Sequence, residues 1–192
     1  SRVHADYMLG QAKALNANFV RLAHYPHNEH MLSVADSLGI LIWSEIPVYW
    51  GIDWGKPHVL DKAKRTLTEM ILRDQNRASI ILWSMANETQ PVPDRNIFLS
   101  ALIEETRKID PTRLITAATE THVDKSNPST FWLEDPINTK LDIMANNIYC
   151  GWYFDNPDGG CPTMEIKSRF EKPLIMSEFG AGAKAGFHGS DS

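Results

Sequence analysis

The sequence predicts an α/β fold in which a parallel sheet is buried between helices. Short apolar runs alternate along the chain with stretches whose apolar residues recur at helical spacing. The apolar runs are almost continuous, which is typical of parallel strands covered on both faces. Two of the runs end in a glutamate, Glu88 and Glu178. An α/β barrel presents its catalytic groups at such positions, where buried strands end in loops.

The first elements follow from capping and breaking residues. A helix is predicted over residues 6–16 and a strand over residues 18–24, where Pro26 follows. Asn28 can cap a second helix, because asparagine accepts hydrogen bonds from the free N–H groups at a helix start. Gly39 can end that helix, because glycine adopts the left-handed conformation without strain. These residues predict two consecutive helix–strand units.

The same alternation continues to the end of the chain. Further helices are predicted over residues 61–75, 96–109 and 163–170. The segment 119–139 is rich in proline and polar residues, so we expect it to cross the surface as a loop. One domain over residues 1–192 therefore contains six predicted strands: residues 18–24, 40–45, 80–86, 114–118, 141–149 and 174–177.

The composition excludes several classes of function. The 192 residues are 43% hydrophobic and 22% charged, which is ordinary for a folded domain. A net charge of -5 without a lysine or arginine cluster argues against a nucleic-acid partner. The apolar runs fall far short of the roughly 20 residues of a membrane-spanning helix. No strand leads into a glycine-rich phosphate loop. We therefore expect no nucleic-acid partner, no membrane span and no cofactor.

The two cysteines are predicted to be unpaired thiols. Cys150 and Cys161 lack the C-x-x-C spacing of a metal or redox site. Disulfides are also uncommon in proteins of this size and composition.

Histidines at three-residue intervals raise the question of a metal site. Pro26 separates His24 from His27 and His30, so the three cannot share one helical face. No metal is expected on this ground, and a metal-dependent barrel hydrolase is the least favoured interpretation. It would use His24, Glu45 and Glu120.

Polar side chains collect where the predicted strands end. Because the carboxyl ends of parallel strands meet at one edge of a sheet, these side chains are expected to lie together. Two carboxyl groups at such an edge suggest acid/base and nucleophile chemistry on a glycosidic bond. The strand ends offer Arg21, His24, Glu45, Asn87, Glu88, Thr119, Glu120, Asn147, Tyr149 and Glu178.

Three motifs then resemble a known family. Residues 21–26 (RLAHYP), 83–88 (WSMANE) and 177–180 (SEFG), in that order, look like the catalytic barrel of glycoside hydrolase family 2. That family contains retaining β-galactosidases, β-glucuronidases and β-mannosidases. The resemblance implies a partial TIM (β/α)8 barrel whose six strands are strands two to seven. It also implies a truncated catalytic domain, a fragment without strands one and eight and without the preceding β-sandwich domains.

The resemblance assigns roles to the strand-end residues. Glu88 resembles the acid/base and Glu178 the nucleophile, and a retaining enzyme holds two such carboxyls about 5–5.5 Å apart. Arg21 and Tyr149 resemble the residues that lie against the nucleophile. Asn87 resembles the residue that binds the sugar 2-hydroxyl.

Other residues are expected to support the site. His24 is predicted to line it, and Arg21 could instead pair with Glu45 as a structural ion pair. Trp152 and Tyr153, which follow Tyr149 closely, are the preferred candidates for stacking on a sugar ring.

The resemblance also bears on the substrate. Residues 105–113 and 147–153 are similar to the β-glucuronidase side of the family, and Ala181 stands where lactose-splitting galactosidases have histidine. The family's Asn-x-Lys element for the sugar carboxylate lies beyond Ser192. A β-glucuronidase-like or β-galactosidase-like retaining glycosidase is therefore expected. The alternative is a weak or inactive carbohydrate-binding fragment, and a homo-oligomer is compatible with the full-length enzyme.

Overall fold

Four helices alternate with the strands of a parallel sheet in a computed structural model that describes residues 1–150, 152–153, 161–180 and 186. The helices are α1 (Arg2–Ala14), α2 (Glu29–Leu38), α3 (Pro57–Asp74) and α4 (Pro93–Ile109). The strands are β1 (Phe19–Leu22), β2 (Leu41–Glu45), β3 (Ile80–Asn87), β4 (Leu114–Ala118), β5 (His122–Val123), β6 (Thr130–Leu133), β7 (Met144–Asn147), β8 (Glu165–Ser168) and β9 (Leu174–Glu178).

The main sheet is a curled half-barrel. Its strands lie in the order β1-β2-β3-β4-β7-β9, and every neighbouring pair is parallel. Each strand therefore lies beside the strand that precedes it in this series, and all six carboxyl ends reach the same edge. The predicted α/β class and the partial TIM barrel of six parallel strands are confirmed.

Local sequence explains where the helices begin and end. The Asn28 side chain accepts from the backbone N–H of Met31 at 3.0 Å, and Gly39 ends α2 in the left-handed conformation with φ 64°. Pro57 and Pro93 each stand in the first turn of their helices, where the missing N–H loses no hydrogen bond. α3 therefore begins four residues before the predicted start at residue 61.

The core lies between the helices and the outer face of the sheet. Leu32, Leu67 and Phe98 from three helices pack with Ile42 and Trp83 from the strands, and all five are buried. Burial of each such side chain contributes roughly 1.5–3 kcal/mol. None of the helices in the described part of the chain is long and apolar enough to cross a membrane.

Two predictions of local structure are wrong. The segment 119–139 contains β5, β6 and a 3-10 turn (Pro136–Thr139), and the predicted helix over 163–170 is a 3-10 turn (Cys161–Thr163) followed by β8. β6 pairs with β5 and with β8, which makes a second sheet of three strands. An eight-residue apolar pattern does not separate helix from strand. The partner strand β6 decided the outcome, and it lies more than thirty positions earlier.

The prediction of unpaired thiols is also wrong. Cys150 and Cys161 form a disulfide with their Cα atoms 5.7 Å apart, within the usual range for such bonds. Ala181 and most of the loop between the cysteines lie outside the described residues.

Candidate active site

The carboxyl ends of the main sheet surround a cavity of about 620 Å³. Both glutamates identified from the sequence contribute to its wall, Glu88 directly after β3 and Glu178 at the end of β9. Among the described residues, those that line it are His24, Tyr49, Trp50, Asn87, Glu88, Tyr149, Tyr153 and Glu178.

Glu178 accepts hydrogen bonds on both carboxyl oxygens. Arg21 Nη1 donates to its Oε1 at 2.8 Å, and the Tyr149 hydroxyl donates to its Oε2. His24 Nε2 lies 3.7 Å from Oε1. Burial, and then the hydrogen bond to Glu178, raise the pKa of Tyr149, so this hydroxyl keeps its proton and remains a donor.

Arg21, near the end of β1, contacts the ends of four other strands. Its side chain is 7% exposed, and its Nε and Nη2 donate to the two oxygens of Glu45 at 3.0 and 3.2 Å. The same guanidinium donates to Glu178, to Asn87 Oδ1 at 2.7 Å and to Asn147 Oδ1 at 3.2 Å. The geometry therefore contains both contacts considered from the sequence, the ion pair with Glu45 and the donor to Glu178. A planar fork of five N–H groups can serve all these acceptors at once.

Glu45 is the most deeply buried carboxylate of this network. Its side chain is 1% exposed, and besides Arg21 it contacts His24 Nδ1 at 2.6 Å and accepts from Trp43 Nε1 at 2.8 Å. The hydrogen bond to Glu45 raises the pKa of His24, against the opposing effect of burial. A buried carboxylate with this many donors is satisfied and fixed in place.

Glu88 has neutral donors on both oxygens. Asn147 Nδ2 donates to its Oε1 at 2.9 Å, and Trp50 Nε1 donates to its Oε2 at 3.1 Å. The backbone of Glu88 has a positive φ of 48°, an uncommon conformation for a residue with a side chain. Asn147 also donates to Asn87 Oδ1 at 2.9 Å and accepts from Arg21. It therefore links the Glu88 side of the cavity to the Arg21 network.

The site brings together eight of the nine residues given a role from the sequence: Arg21, His24, Glu45, Asn87, Glu88, Tyr149, Tyr153 and Glu178. Trp152 is the exception, because it is 40% exposed and does not line the cavity. Its ring centroid lies 6.1 Å from that of Tyr153. Sequence reasoning placed Asn147 among the strand ends but gave it no role, and it missed Tyr49 and Trp50 in the loop after β2. The available signal for Asn147 was its position at a strand end, shared with the residues that were chosen.

The three residues of the metal hypothesis, His24, Glu45 and Glu120, do not form one cluster. Glu120 accepts from Gln90 at 2.8 Å and lines a separate cavity of about 350 Å³ with Glu134, whereas His24 and Glu45 contact each other in the main site. Burial, and then the charge of Glu88, raise the pKa of Glu120. Across the described ranges, no cluster of three or more histidine, cysteine or acidic side chains is arranged to hold a metal ion.

Comparison with known proteins identifies the family. The model of "Glycosyl hydrolases family 2, TIM barrel domain" matches residues 1–191. The chain belongs to glycosyl hydrolase family 2. This confirms the resemblance drawn from the three sequence motifs.

Individual family 2 relatives are longer than this chain. A β-glucuronidase from Paenibacillus borealis is 31% identical over 197 residues, which cover 92% of this chain and 31% of the relative. A β-glucuronidase from Rattus norvegicus is 29% identical, with 91% and 27% covered. The solved β-D-glucuronidase from Dictyoglomus thermophilum has a TM-score of 0.74 at 29% identity and covers 100% of this chain and 35% of that one. The chain thus spans about a third of the length of these proteins.

Proposed function

We propose that this family 2 chain carries the catalytic centre of a retaining β-glycoside hydrolase that acts on β-glucuronides. One observation carries the proposal. Glu88 and Glu178 line the same cavity, and Glu178 alone of the two accepts from a guanidinium. Retaining hydrolysis requires two carboxyl groups in different roles on opposite sides of one bond.

The geometry supports Glu178 as the nucleophile. Arg21 and Tyr149 each donate to one of its oxygens, which fixes the carboxylate for attack on the anomeric carbon. In the first step, a Glu178 oxygen bonds to that carbon while Glu88 donates its proton to the departing glycosidic oxygen. The result is a covalent glycosyl-enzyme and a free alcohol.

The second step reverses the role of Glu88. As a carboxylate it takes a proton from water, the water oxygen bonds to the anomeric carbon, and the bond to Glu178 is cleaved. The sugar leaves with its β configuration retained. Neutral donors on both oxygens of Glu88 suit a carboxyl group that gains and loses a proton in each cycle.

Asn87 is suited to binding the sugar. Its Oδ1 accepts from both Arg21 and Asn147, so the amide orientation is fixed by these donors and the Nδ2 group is turned away from them. This leaves Nδ2 to donate to the 2-hydroxyl oxygen. A contact there contributes to catalysis where it strengthens in the transition state.

The glucuronide assignment draws on relatives and on sequence. The curated relatives named above are β-glucuronidases, and residues 147–153 are similar to that side of the family. The inference from Ala181 stays a prediction.

A panel of 4-nitrophenyl β-glucuronide, β-galactoside and β-mannoside tests the proposal. We expect the highest kcat/KM for the glucuronide, and proton NMR should detect the β anomer of the product first. A first product in the α configuration would rule out the two-step mechanism. Sugar binding by calorimetry without turnover would instead favour the carbohydrate-binding alternative. Glu69→Gln, the same chemical change at an exposed position of α3, is the matched control for variants of the two site glutamates.

A further inference from the structure

Two aromatic side chains beside Glu88 are unusually exposed for their size. Trp50 is 65% exposed and Tyr49 is 40% exposed, and both line the cavity that holds the two glutamates. Their rings pack edge to face, with the ring centroids 5.6 Å apart. Large apolar side chains left open next to a reacting group mark a place where a ligand is bound.

The loop that carries these rings is fixed to the sheet. The backbone N–H of Asn87 donates to the carbonyl of Val48 at 2.9 Å, and the backbone N–H of Trp50 donates to the carbonyl of Asn87 at 3.3 Å. A third hydrogen bond, from the indole N–H to Glu88, fixes the Trp50 side chain. Trp50 therefore keeps a defined position relative to Glu88, although most of its ring surface faces solvent.

The reaction decides what lies on this side of the cavity. The leaving oxygen must come within hydrogen-bond reach of the acid that protonates it, so the aglycone starts beside Glu88. Glu88 Oε1 accepts from Asn147, which belongs to the Arg21 network, and Oε2 accepts from the indole of Trp50. Of these two neighbours, Trp50 is the one that is mostly exposed. The aglycone side is therefore the Trp50 side.

The chemistry of the loop selects the kind of aglycone. Residues 46–52 contain no charged side chain. A subsite for a second sugar would need several polar partners for its hydroxyl groups, whereas a flat apolar ring needs only an aromatic surface. The loop offers the latter.

We propose that Tyr49 and Trp50 form a subsite that binds an aromatic aglycone, the group that leaves when Glu88 donates its proton. The proposal rests on the proposed hydrolase function and adds the chemical class of the leaving half of the substrate.

Benzyl and methyl β-D-glucuronide test the subsite. Benzyl alcohol and methanol have similar acidity, so the two substrates differ mainly in the ring offered to the loop. We expect the unaltered protein to favour the benzyl glucuronide about two- to tenfold in kcat/KM, the range of an aromatic pair. Trp50→Ala should bring this ratio close to one. Trp50→Phe, which keeps a ring but loses the N–H, should retain most of it.

The ratio separates ring binding from effects on Glu88. Loss of the indole N–H should change kcat/KM by the same factor for both substrates, so this effect cancels in the ratio. Tyr7→Ala removes an aromatic residue that is 66% exposed on α1, and it should leave the ratio unchanged. A ratio near one in the unaltered protein, or a ratio unaffected by Trp50→Ala, would overturn the subsite.

Binding of the sulfur-linked benzyl and methyl thioglucuronides, which resist hydrolysis, gives a second measurement by calorimetry. Tighter binding of the benzyl compound that disappears in Trp50→Ala supports the subsite even without turnover. Hydrolysis of neither glucuronide with this binding preference intact would count against the hydrolase function alone. Equal hydrolysis and equal Kd values for both compounds would count against the subsite alone.

Discussion

Glu88 and Glu178 line the same cavity but have different surroundings. The carboxyl group of Glu178 accepts from the guanidinium of Arg21, whereas that of Glu88 accepts only from an indole and an amide, those of Trp50 and Asn147, within the described residues. Hydrogen bonds from a charged donor are roughly twice as strong as those between neutral groups. Two chemically identical side chains therefore have different electrostatic environments, set by the residues placed around them.

The sharpest test of this contrast replaces each glutamate in turn. We expect Glu178→Gln to lower kcat about 10⁴- to 10⁶-fold for every substrate, since an amide is not a nucleophile here. Glu88→Ala should lower kcat/KM about 10²- to 10⁴-fold for poor leaving groups and much less for 4-nitrophenol, which needs no proton. kcat should fall for all substrates, because Glu88 also acts as the base in the second step. Steady-state kinetics on both kinds of aglycone measure the difference. Equal losses in both variants on all substrates would contradict the assigned roles.

A second buried ion pair, separate from that of Arg21 and Glu45, lies next to Glu88. Arg95 is fully buried, contacts both oxygens of Asp135 at 2.8 and 2.6 Å, and donates to the hydroxyl and carbonyl of Thr89, the residue after Glu88. Arg95→Met should lower the free energy of unfolding by roughly 3–5 kcal/mol, because it leaves Asp135 buried without its partner.

Chemical denaturation of three proteins checks this expectation. Adding Asp135→Leu to Arg95→Met should recover part of the lost stability, since the unpaired charge is then gone. A double variant as unstable as the single one would show that the charge pair is not the cause. Arg65→Met, at an exposed position of α3, is the control.

Arg21 is the group that makes the two glutamates differ. Arg21→Lys keeps the charge but cannot donate to Glu45, Asn87 and Glu178 together. We expect kcat to fall about 10²- to 10³-fold, as for loss of one positioned donor. Arg65→Lys on α3 should leave kcat unchanged. A kcat within twofold of the original would mean that charge alone, without the fork geometry, holds Glu178.

A smaller effect is expected from His24 and depends on pH. Its folded-state pKa is raised, chiefly by the hydrogen bond to Glu45, with Glu178 adding to the shift and Arg21 opposing it. The stabilisation is therefore fully present below the unfolded pKa of about 6.5 and is lost as pH rises through the folded pKa.

The difference in Tm between the original protein and His24→Gln measures this effect. It should be larger near about pH 5.5 than near about pH 9. His58→Gln, an exposed position of α3, provides the comparison. A Tm difference that does not change with pH would contradict the proposed contribution of the protonated imidazole.

The correct predictions rest on residues close together in the sequence, whereas the incorrect ones concern structure that depends on residues far apart in it. The half-barrel was predictable because each helix–strand unit is local, and Asn28, Gly39 and Pro26 mark its limits within a few residues. The strand β8 was mistaken for a helix because its identity comes from pairing with β6. The disulfide was missed because spacing alone does not reveal that Cys150 and Cys161 approach to 5.7 Å between Cα atoms.

The candidate site divides in the same way. Parallel strands end at one edge of a sheet, so strand-end positions alone are enough to single out Glu88 and Glu178. The contacts that distinguish them join residues far apart in the chain, such as Arg21 with Asn147 at a separation of 126 positions and Trp50 with Glu88 at 38. Only the packing of the strands and loops decides such contacts, because a side chain reaches its partner through space and the order of residues does not record that distance.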